Sequence, residues 1–392
     1  MRLRHWIEAV AASRAAARPL AVARIASGIA MLVELPNTAA TLQRLTMPTV
    51  IHAPYVPFMP RVNEPIAAVL IVAWLIGAVG LVVGFRTRLA GSLLTVTLAL
   101  VLFLDQQLYS NHLYLMLWVA GLLTLADSGA AISLDARQAG ERSWVSGWPV
   151  TMLCIVVSIV YGFAALAKLN PDFLSGSVVA SYLRRDGLLA VPDAWRSLEP
   201  MLILSLLAVC SEAFVSVFLW VPRWRPAALV VGLGLHVFIT GWLSPTVSLL
   251  VFSLLILPLY LLFVDAVPAG RAVVWDDGCS FCGAWVRWFR RLDWLRALRF
   301  VPRSELVSAR LPISEQEAMR ALQVVLPAGG VRGGFAAVSA VLEILPVSFL
   351  WAPILRLQPI AAVGERVYRR VAARRLCELP LRDRAAVSSR SA

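Results

Sequence analysis

Lysine is almost missing from this 392-residue chain: of its 36 basic residues 35 are arginine, and the exception is Lys168. Cysteine is scarce too. Five thiols (Cys154, Cys210, Cys279, Cys282 and Cys377) are too few and too scattered for a disulfide-stapled secreted scaffold. Charged residues make up 15% of the chain, against about 25% in a soluble domain. That deficit, with 59% hydrophobic residues, excludes an ordinary soluble protein as well as disordered and fibrous classes. No phosphate-binding loop, Ser-His-Asp order or metal-ligand set is present. The net charge of +13 does not call for nucleic acid, because basic loops on one side of a membrane protein give the same total.

What is abundant is apolar runs near the ~20 residues that cross a bilayer. Eight are expected: Leu20–Leu35, Pro65–Gly84, Leu89–Leu104, Leu113–Ala126, Val150–Leu169, Met201–Val221, Ala227–Leu243 and Pro245–Val264, the first and fourth being short. Lipid forces these to be helices, and the period-2 alternation of a membrane barrel is absent. The first run contains Arg24 and continues to Glu34, so it reads as a retained helix rather than a cleaved signal. With the N-terminus inside, the inner side carries Arg2, Arg4, Arg14, Arg18, Arg86, Arg88, Arg137, Arg142, Arg223 and Arg225. The outer loops carry Arg44, Arg61, Arg184, Arg185 and Arg196. The bias places both termini in the cytoplasm, with the Arg184-Arg185 pair arguing the other way.

Composition changes after Val264. Residues 1–264 read as a multi-pass membrane domain. Residues 271–392, with 19 arginines, read as an α/β thioredoxin-like domain. Strands are expected at Arg271–Trp275, Leu298–Pro302 and Leu322–Leu326, a turn at Ala328-Gly329-Gly330, and helices at Cys279–Leu292, Phe335–Leu345 and Ile360–Leu376, with the last dozen residues frayed.

The segment Trp275-Asp276-Asp277-Gly278-Cys279-Ser280-Phe281-Cys282 follows a strand and opens a helix. The helix dipole favours thiolate there, so the first cysteine is expected to attack and the second to resolve the mixed disulfide. This makes the pair a redox-active dithiol. Half of a zinc site is the competing reading, but zinc needs about four ligands. The C-terminal domain offers no histidine and one further cysteine, Cys377; no metal is predicted. Asp276 and Asp277 would raise the thiol pKa, or one of them would relay its proton.

These residues resemble the DCC family of thiol-disulfide oxidoreductases. The likeness rests on Asp276, the Cys279/Cys282 pair, the aromatic-basic helix Trp285–Asp293, Arg299-Phe300-Val301-Pro302, Gly333-Gly334-Phe335-Ala336-Ala337 and Val367-Tyr368-Arg369. It covers Arg271 to about Pro380 and departs from the family pattern in the extra Asp277. It implies redox activity toward a protein or small-molecule thiol.

Ionisable side chains within spans are functional candidates by default, because burying them in lipid is costly. Here they are Arg24, His112, Lys168, Glu212 and His236, with Asn111 and Tyr161 beside them. Each has a bland alternative: Arg24 locking the bundle, His236 hydrogen-bonded in the core, Glu212 neutralising a base, His112 at a helix end. Tyr161 and Lys168, seven apart, share a helix face. Lys168 could snorkel to the headgroups, yet arginine serves that purpose everywhere else in the chain. An amine, unlike a guanidinium, can lose its proton and act as a base. Cys154 and Cys210 read as packing residues.

The membrane segment resembles the HTTM family, the bundle of vitamin K-dependent γ-carboxylase and its bacterial relatives. The matching stretches are Arg24-Ile25-Ala26-Ser27-Gly28, Asn111-His112-Leu113-Tyr114-Leu115 and Tyr161-Gly162-Phe163-Ala164-Ala165-Leu166-Ala167-Lys168-Leu169-Asn170-Pro171-Asp172-Phe173, with Gly176; Glu212 and the His236 segment match more loosely. The resemblance implies that Lys168 is the base toward a hydroquinone and that His112 lies in the same active region. It also implies an isoprenoid quinone as cofactor and a bacterial plasma membrane as location. Three functions stay open: quinone-linked thiol-disulfide exchange, a thiol-disulfide oxidoreductase merely anchored by the bundle, and a non-enzymatic maturation or transport accessory. The first requires quinone diffusion, because Lys168 is expected near the outer face and the Cys279/Cys282 pair on the inner one.

Overall fold

Apolar runs in lipid must satisfy their own backbone groups, and the first two thirds of the chain does so as helices. The computed structural model describes residues 8–183, 188–195, 198–243, 246–264, 267–327, 329–349 and 352–373. Two compact units, Met1–Val264 and Asp265–Ala392, divide the chain. The expectations for Arg2, Arg4, Arg184, Arg185, Arg196, Pro245, Ala328, Leu376, Cys377 and the last dozen residues fall outside the described residues.

In the first unit, β1 (Arg14–Ala16) leads into α1 (Ala17–Leu45), α2 (Glu64–Val83), α3 (Thr87–Leu104) and α4 (Asn111–Leu125). Then come β2 (Trp144–Ser146), α5 (Gly147–Ala167), α6 (Leu198–Phe218), α7 (Arg225–Trp242) and α8 (Thr246–Ile256), which tightens into a 3-10 stretch, Leu257–Phe263. Among the described residues six helices are long and apolar enough to cross a membrane: α1, α2, α3, α5, α6 and α7. Two of the eight expected spans are shorter apolar helices instead. Ser110 caps Leu113 N and sets the start of α4, while Pro258 lies in the tightened stretch that follows α8. The first span is longer than the expected Leu20–Leu35, because α1 runs on through Pro36. Membrane helices tolerate proline where neighbours re-satisfy the freed backbone groups. The β1–β2 ladder, antiparallel with Arg14 opposite Ser146, carries no sequence signal.

Packing follows the capping. Helix α1 lies against both α2 and α8, and α5 against α6. The indole of Trp74 on α2 donates to Met31 O on α1 at 2.9 Å. The N-terminus of α3 is capped from a distant segment: Asp135 accepts from Arg86 N and Thr87 N, both at 2.8 Å, and from the Thr87 hydroxyl at 2.7 Å. Burial would raise the Asp135 carboxyl, but the Thr87 and Arg86 hydrogen bonds and the Arg24 charge outweigh it and hold it below the usual carboxylate range.

The second unit is built on a four-stranded sheet. β3 (Arg271–Trp275) is central and pairs in parallel with β4 (Leu298–Pro302), Arg271 opposite Leu298. The parallel pairing needs a crossover, supplied by α9 (Ser280–Leu292). After α10 (Glu315–Arg320), β5 (Gln323–Val325) pairs antiparallel with β3 and β6 (Val331–Gly333) antiparallel with β5, giving the order β4-β3-β5-β6. α11 (Gly334–Leu342) and α12 (Gln358–Ala373) complete the unit. Three strands stand where expected; β6 is additional, filling the far side of the Gly329-Gly330 turn. Ala272, Val274, Val301, Leu306 and Ala318 form one buried cluster. Glu343, at the end of α11, draws together Arg271 at 3.4 Å, Arg332 at 3.5 Å and Arg356.

Candidate functional site

Lys168 sits where α5 stops. Its backbone N–H caps the helix, and Asn170 manages the exit: its amide donates to Ala167 O at 2.8 Å while its carbonyl accepts from Phe173 N at 2.9 Å. Pro171 supplies the first residue of the single turn Pro171–Leu174. That turn brings the Phe173 ring over the Lys168 ammonium, 5.6 Å from its centroid. The ammonium reaches back to Ala164 O at 3.4 Å and across to both carboxylate oxygens of Glu212 on α6, each at 2.8 Å. The Lys168 side chain retains 28% exposure and Glu212 only 10%. The lysine is therefore an ion-pair partner, and Glu212, read from the sequence as neutralising one of the bases, neutralises this one.

Tyr161 lies two turns below Lys168. Its hydroxyl meets His236 Nε2 and the Tyr260 hydroxyl, both at 2.6 Å. On the far side of the imidazole, Nδ1 lies 2.8 Å from Ser253 Oγ, which itself donates to Leu249 O at 2.9 Å and lies 2.9 Å from Thr240 Oγ1. Because the serine proton is committed to a carbonyl, its oxygen must accept, which puts the proton of a neutral His236 on Nδ1. Nε2 then accepts from Tyr161, and Tyr161 accepts from Tyr260. The donors run in one direction, Tyr260 to Tyr161 to His236 to Ser253. The chain needs Gly232, where an added Cβ would lie 1.9 Å from the Tyr260 hydroxyl oxygen. Glu212 is within electrostatic reach of Tyr161.

His112 has its own set of partners. Its Nε2 is 3.2 Å from Glu34 Oε1 and 3.3 Å from Ser110 Oγ. Glu34 Oε1 also accepts from Asn37 at 2.9 Å and Thr38 at 3.2 Å, while Glu34 Oε2 is buried with no hydrogen-bond partner. Asn111 is exposed and accepts from the Tyr109 hydroxyl at 3.4 Å. Among the described residues no hydrogen bond joins His112 to the Lys168 pair. Arg24, fully buried, clamps the loop after α4 by donating to Ser128 O at 2.8 Å and Ile132 O at 2.6 Å. Its direct partners are these carbonyls, with the Asp135 carboxylate within electrostatic reach.

In the second unit Cys279 is the N-cap of α9 and is 2% exposed; Cys282, in the first turn, is half-buried. Neither is in a disulfide. Asp276 is buried, accepts from Gly278 N at 3.2 Å and lies 3.4 Å from Arg303 Nε. Asp277 accepts from Ser304 N at 3.4 Å and faces the same guanidinium at 3.9 Å. Burial would raise the Asp277 carboxyl; the Ser304 hydrogen bonds and the Arg303 charge outweigh it and hold it below the usual range. Both aspartates thus tie the turn before the thiols to the segment after β4. Cys282 also lines an apolar groove of about 340 Å³ between α9, α11 and α12.

Glu34, Tyr260, Ser253 and the groove do not stand out as functional in the sequence. Glu34 had a signal, a carboxylate inside an apolar run; Tyr260 and Ser253 had none.

The HTTM domain model matches residues 13–266, and the DCC1-like thiol-disulfide oxidoreductase model matches residues 273–377. Neither the curated proteins nor the solved structures gave a match.

Proposed function

Since the chain belongs to the HTTM domain family and carries a DCC1-like thiol-disulfide oxidoreductase domain, we propose that it is an integral membrane enzyme exchanging thiols and disulfides through Cys279 and Cys282. The observation that carries this reading is the placement of both sulfurs at the start of α9, directly after the central strand β3 and beside an apolar groove. Orphan backbone N–H groups and the helix dipole act on that first turn. The sheet order β4-β3-β5-β6, with a parallel crossover followed by an antiparallel pair, supports a thioredoxin-like fold. The full chain, pre-reduced in detergent, should cleave a disulfide in single turnover. The double variant Cys279→Ser/Cys282→Ser should not, and undiminished cleavage by it would refute the assignment.

A second element of the proposal concerns the bundle. The family resemblance implies an isoprenoid quinone, and one observation fits it: the buried, unpartnered Glu34 Oε2 beside His112 could accept a hydrogen bond from a quinol hydroxyl. A bound quinone would supply two-electron, two-proton chemistry. In this reading Glu34 and His112 hold the hydroxyl. Lys168 acts as a base only when its pair with Glu212 opens, and the Tyr260–Tyr161–His236 chain stores and orients protons in the core. Lys168→Arg should then abolish quinone-linked turnover while the folded chain keeps single-turnover thiol exchange. Full quinone-linked activity in that variant would remove Lys168 from the chemistry.

A further inference from the structure

The two thiols at the start of α9 are not alike. Helix position does not separate them, because the N-cap and the first turn both feel the dipole. Access does: Cys279 is 2% exposed, while Cys282 is half-buried and forms part of the groove wall. The remaining wall includes Phe281, Trp285, Phe335, Val338, Val367 and Tyr368. The Tyr368 hydroxyl accepts from Leu322 N at 2.8 Å, which fixes its ring in the wall. The groove is kept open beside α12 by Gly364: a Cβ there would lie 2.3 Å from the Phe335 ring. The sulfur is thus set in an otherwise apolar, largely aromatic surface.

We propose that Cys282, not Cys279, is the thiol that meets the substrate, and that the substrate is a disulfide flanked by apolar or aromatic groups seated in this groove. The inference rests on the thiol-disulfide exchange reading and deepens it by reversing the expected order of the two sulfurs. In the step, the Cys282 thiolate attacks one substrate sulfur. A Cys282–substrate disulfide forms, the substrate S–S bond breaks, and the departing thiolate takes up a proton. Cys279, the more buried thiol, gives up its proton and attacks the Cys282 sulfur, forming the Cys279–Cys282 disulfide and releasing the second substrate thiol. The substrate gains two electrons and two protons, and the cysteine pair loses them.

The test uses the full chain in detergent with Cys154, Cys210 and Cys377 changed to serine, and two probes: neutral 4,4′-dithiodipyridine and dianionic 5,5′-dithiobis(2-nitrobenzoate). The intact pair should release both leaving groups from each probe molecule as it closes to the Cys279–Cys282 disulfide. Cys279→Ser should release one and stop at a stable mixed disulfide on Cys282. Cys282→Ser should react at least about tenfold more slowly, and the neutral probe should be favoured about tenfold over its preference with the denatured chain. Equal or faster reaction of Cys282→Ser, or loss of the neutral preference, overturns the proposal. Failure of the intact pair to release its second leaving group overturns the exchange reading itself. Limited alkylation of the unsubstituted chain gives a fold-independent check: peptide masses should show Cys282 modified before Cys279, and the opposite order contradicts the assignment.

Discussion

The Lys168 ammonium lies 2.8 Å from each carboxylate oxygen of Glu212, joining the end of α5 to the middle of α6. Removing one partner strands the other in a mostly buried setting. Lys168→Met should therefore lower stability by about 1.5–3 kcal/mol, the range for hydrogen bonds to charged groups. Lys168→Met combined with Glu212→Leu should recover most of that loss, because neither charge is then left unpaired. Thermal unfolding of the four forms in one detergent gives the cycle. Additive losses would show that the pair contributes nothing to the bundle.

Tyr161 accepts from one side chain and donates to another, so Tyr161→Phe leaves His236 Nε2 without its donor and Tyr260 without its acceptor. A cost of about 1–3 kcal/mol is expected for an unsatisfied buried group. Gly232→Ala attacks the same chain sterically, since its Cβ would fall 1.9 Å from the Tyr260 hydroxyl. It should destabilise by a comparable ~1–3 kcal/mol. Combined with Tyr260→Phe, which removes the obstructing oxygen, it should cost less than the two changes summed. Strict additivity would mean that the clash is relieved elsewhere.

Asp135 gives a pH dependence with a defined sign. Its carboxyl is held below the usual range in the folded chain, so its contribution is fully present above the unfolded value of about 3.9 and disappears as pH falls through the folded value. Melting temperatures of the native chain and Asp135→Asn should differ most near pH 6 to 7 and converge as pH falls below the unfolded value and through the lowered folded one. A gap that persists unchanged into acid would show that the α3 cap does not depend on the carboxylate charge.

Much of the fold can be read from residue pattern, because lipid leaves an apolar run no alternative to helix. Boundaries set by local chemistry are harder to read: α1 passing Pro36, α4 starting at the Ser110 cap, the tightening after α8 around Pro258. The Cys279/Cys282 pair and its strand–helix setting were visible in spacing alone. Which sulfur is accessible was not, because that depends on α11 and α12, more than fifty residues further along the chain. Arg24, His112, Lys168, Glu212, His236 and Tyr161 were legible as polar bundle residues but not as partners, and Glu34, Tyr260 and Ser253 did not stand out among them. Lys168 pairs with Glu212 and His112 with Glu34, across helices whose mutual rotation leaves no trace in a single sequence.

Redox titration of the full chain reads the Cys279/Cys282 pair itself. The protein, held in lipid nanodiscs, is equilibrated across a series of thiol–disulfide buffers, quenched, and read by peptide mass for the Cys279–Cys282 disulfide. Both thiols should disappear together in one reversible transition with two-electron slope, in which a tenfold change in the equilibrium constant corresponds to about 30 mV. Independent oxidation of the two cysteines, or thiols that persist across the whole range, would contradict the thiol-disulfide exchange reading.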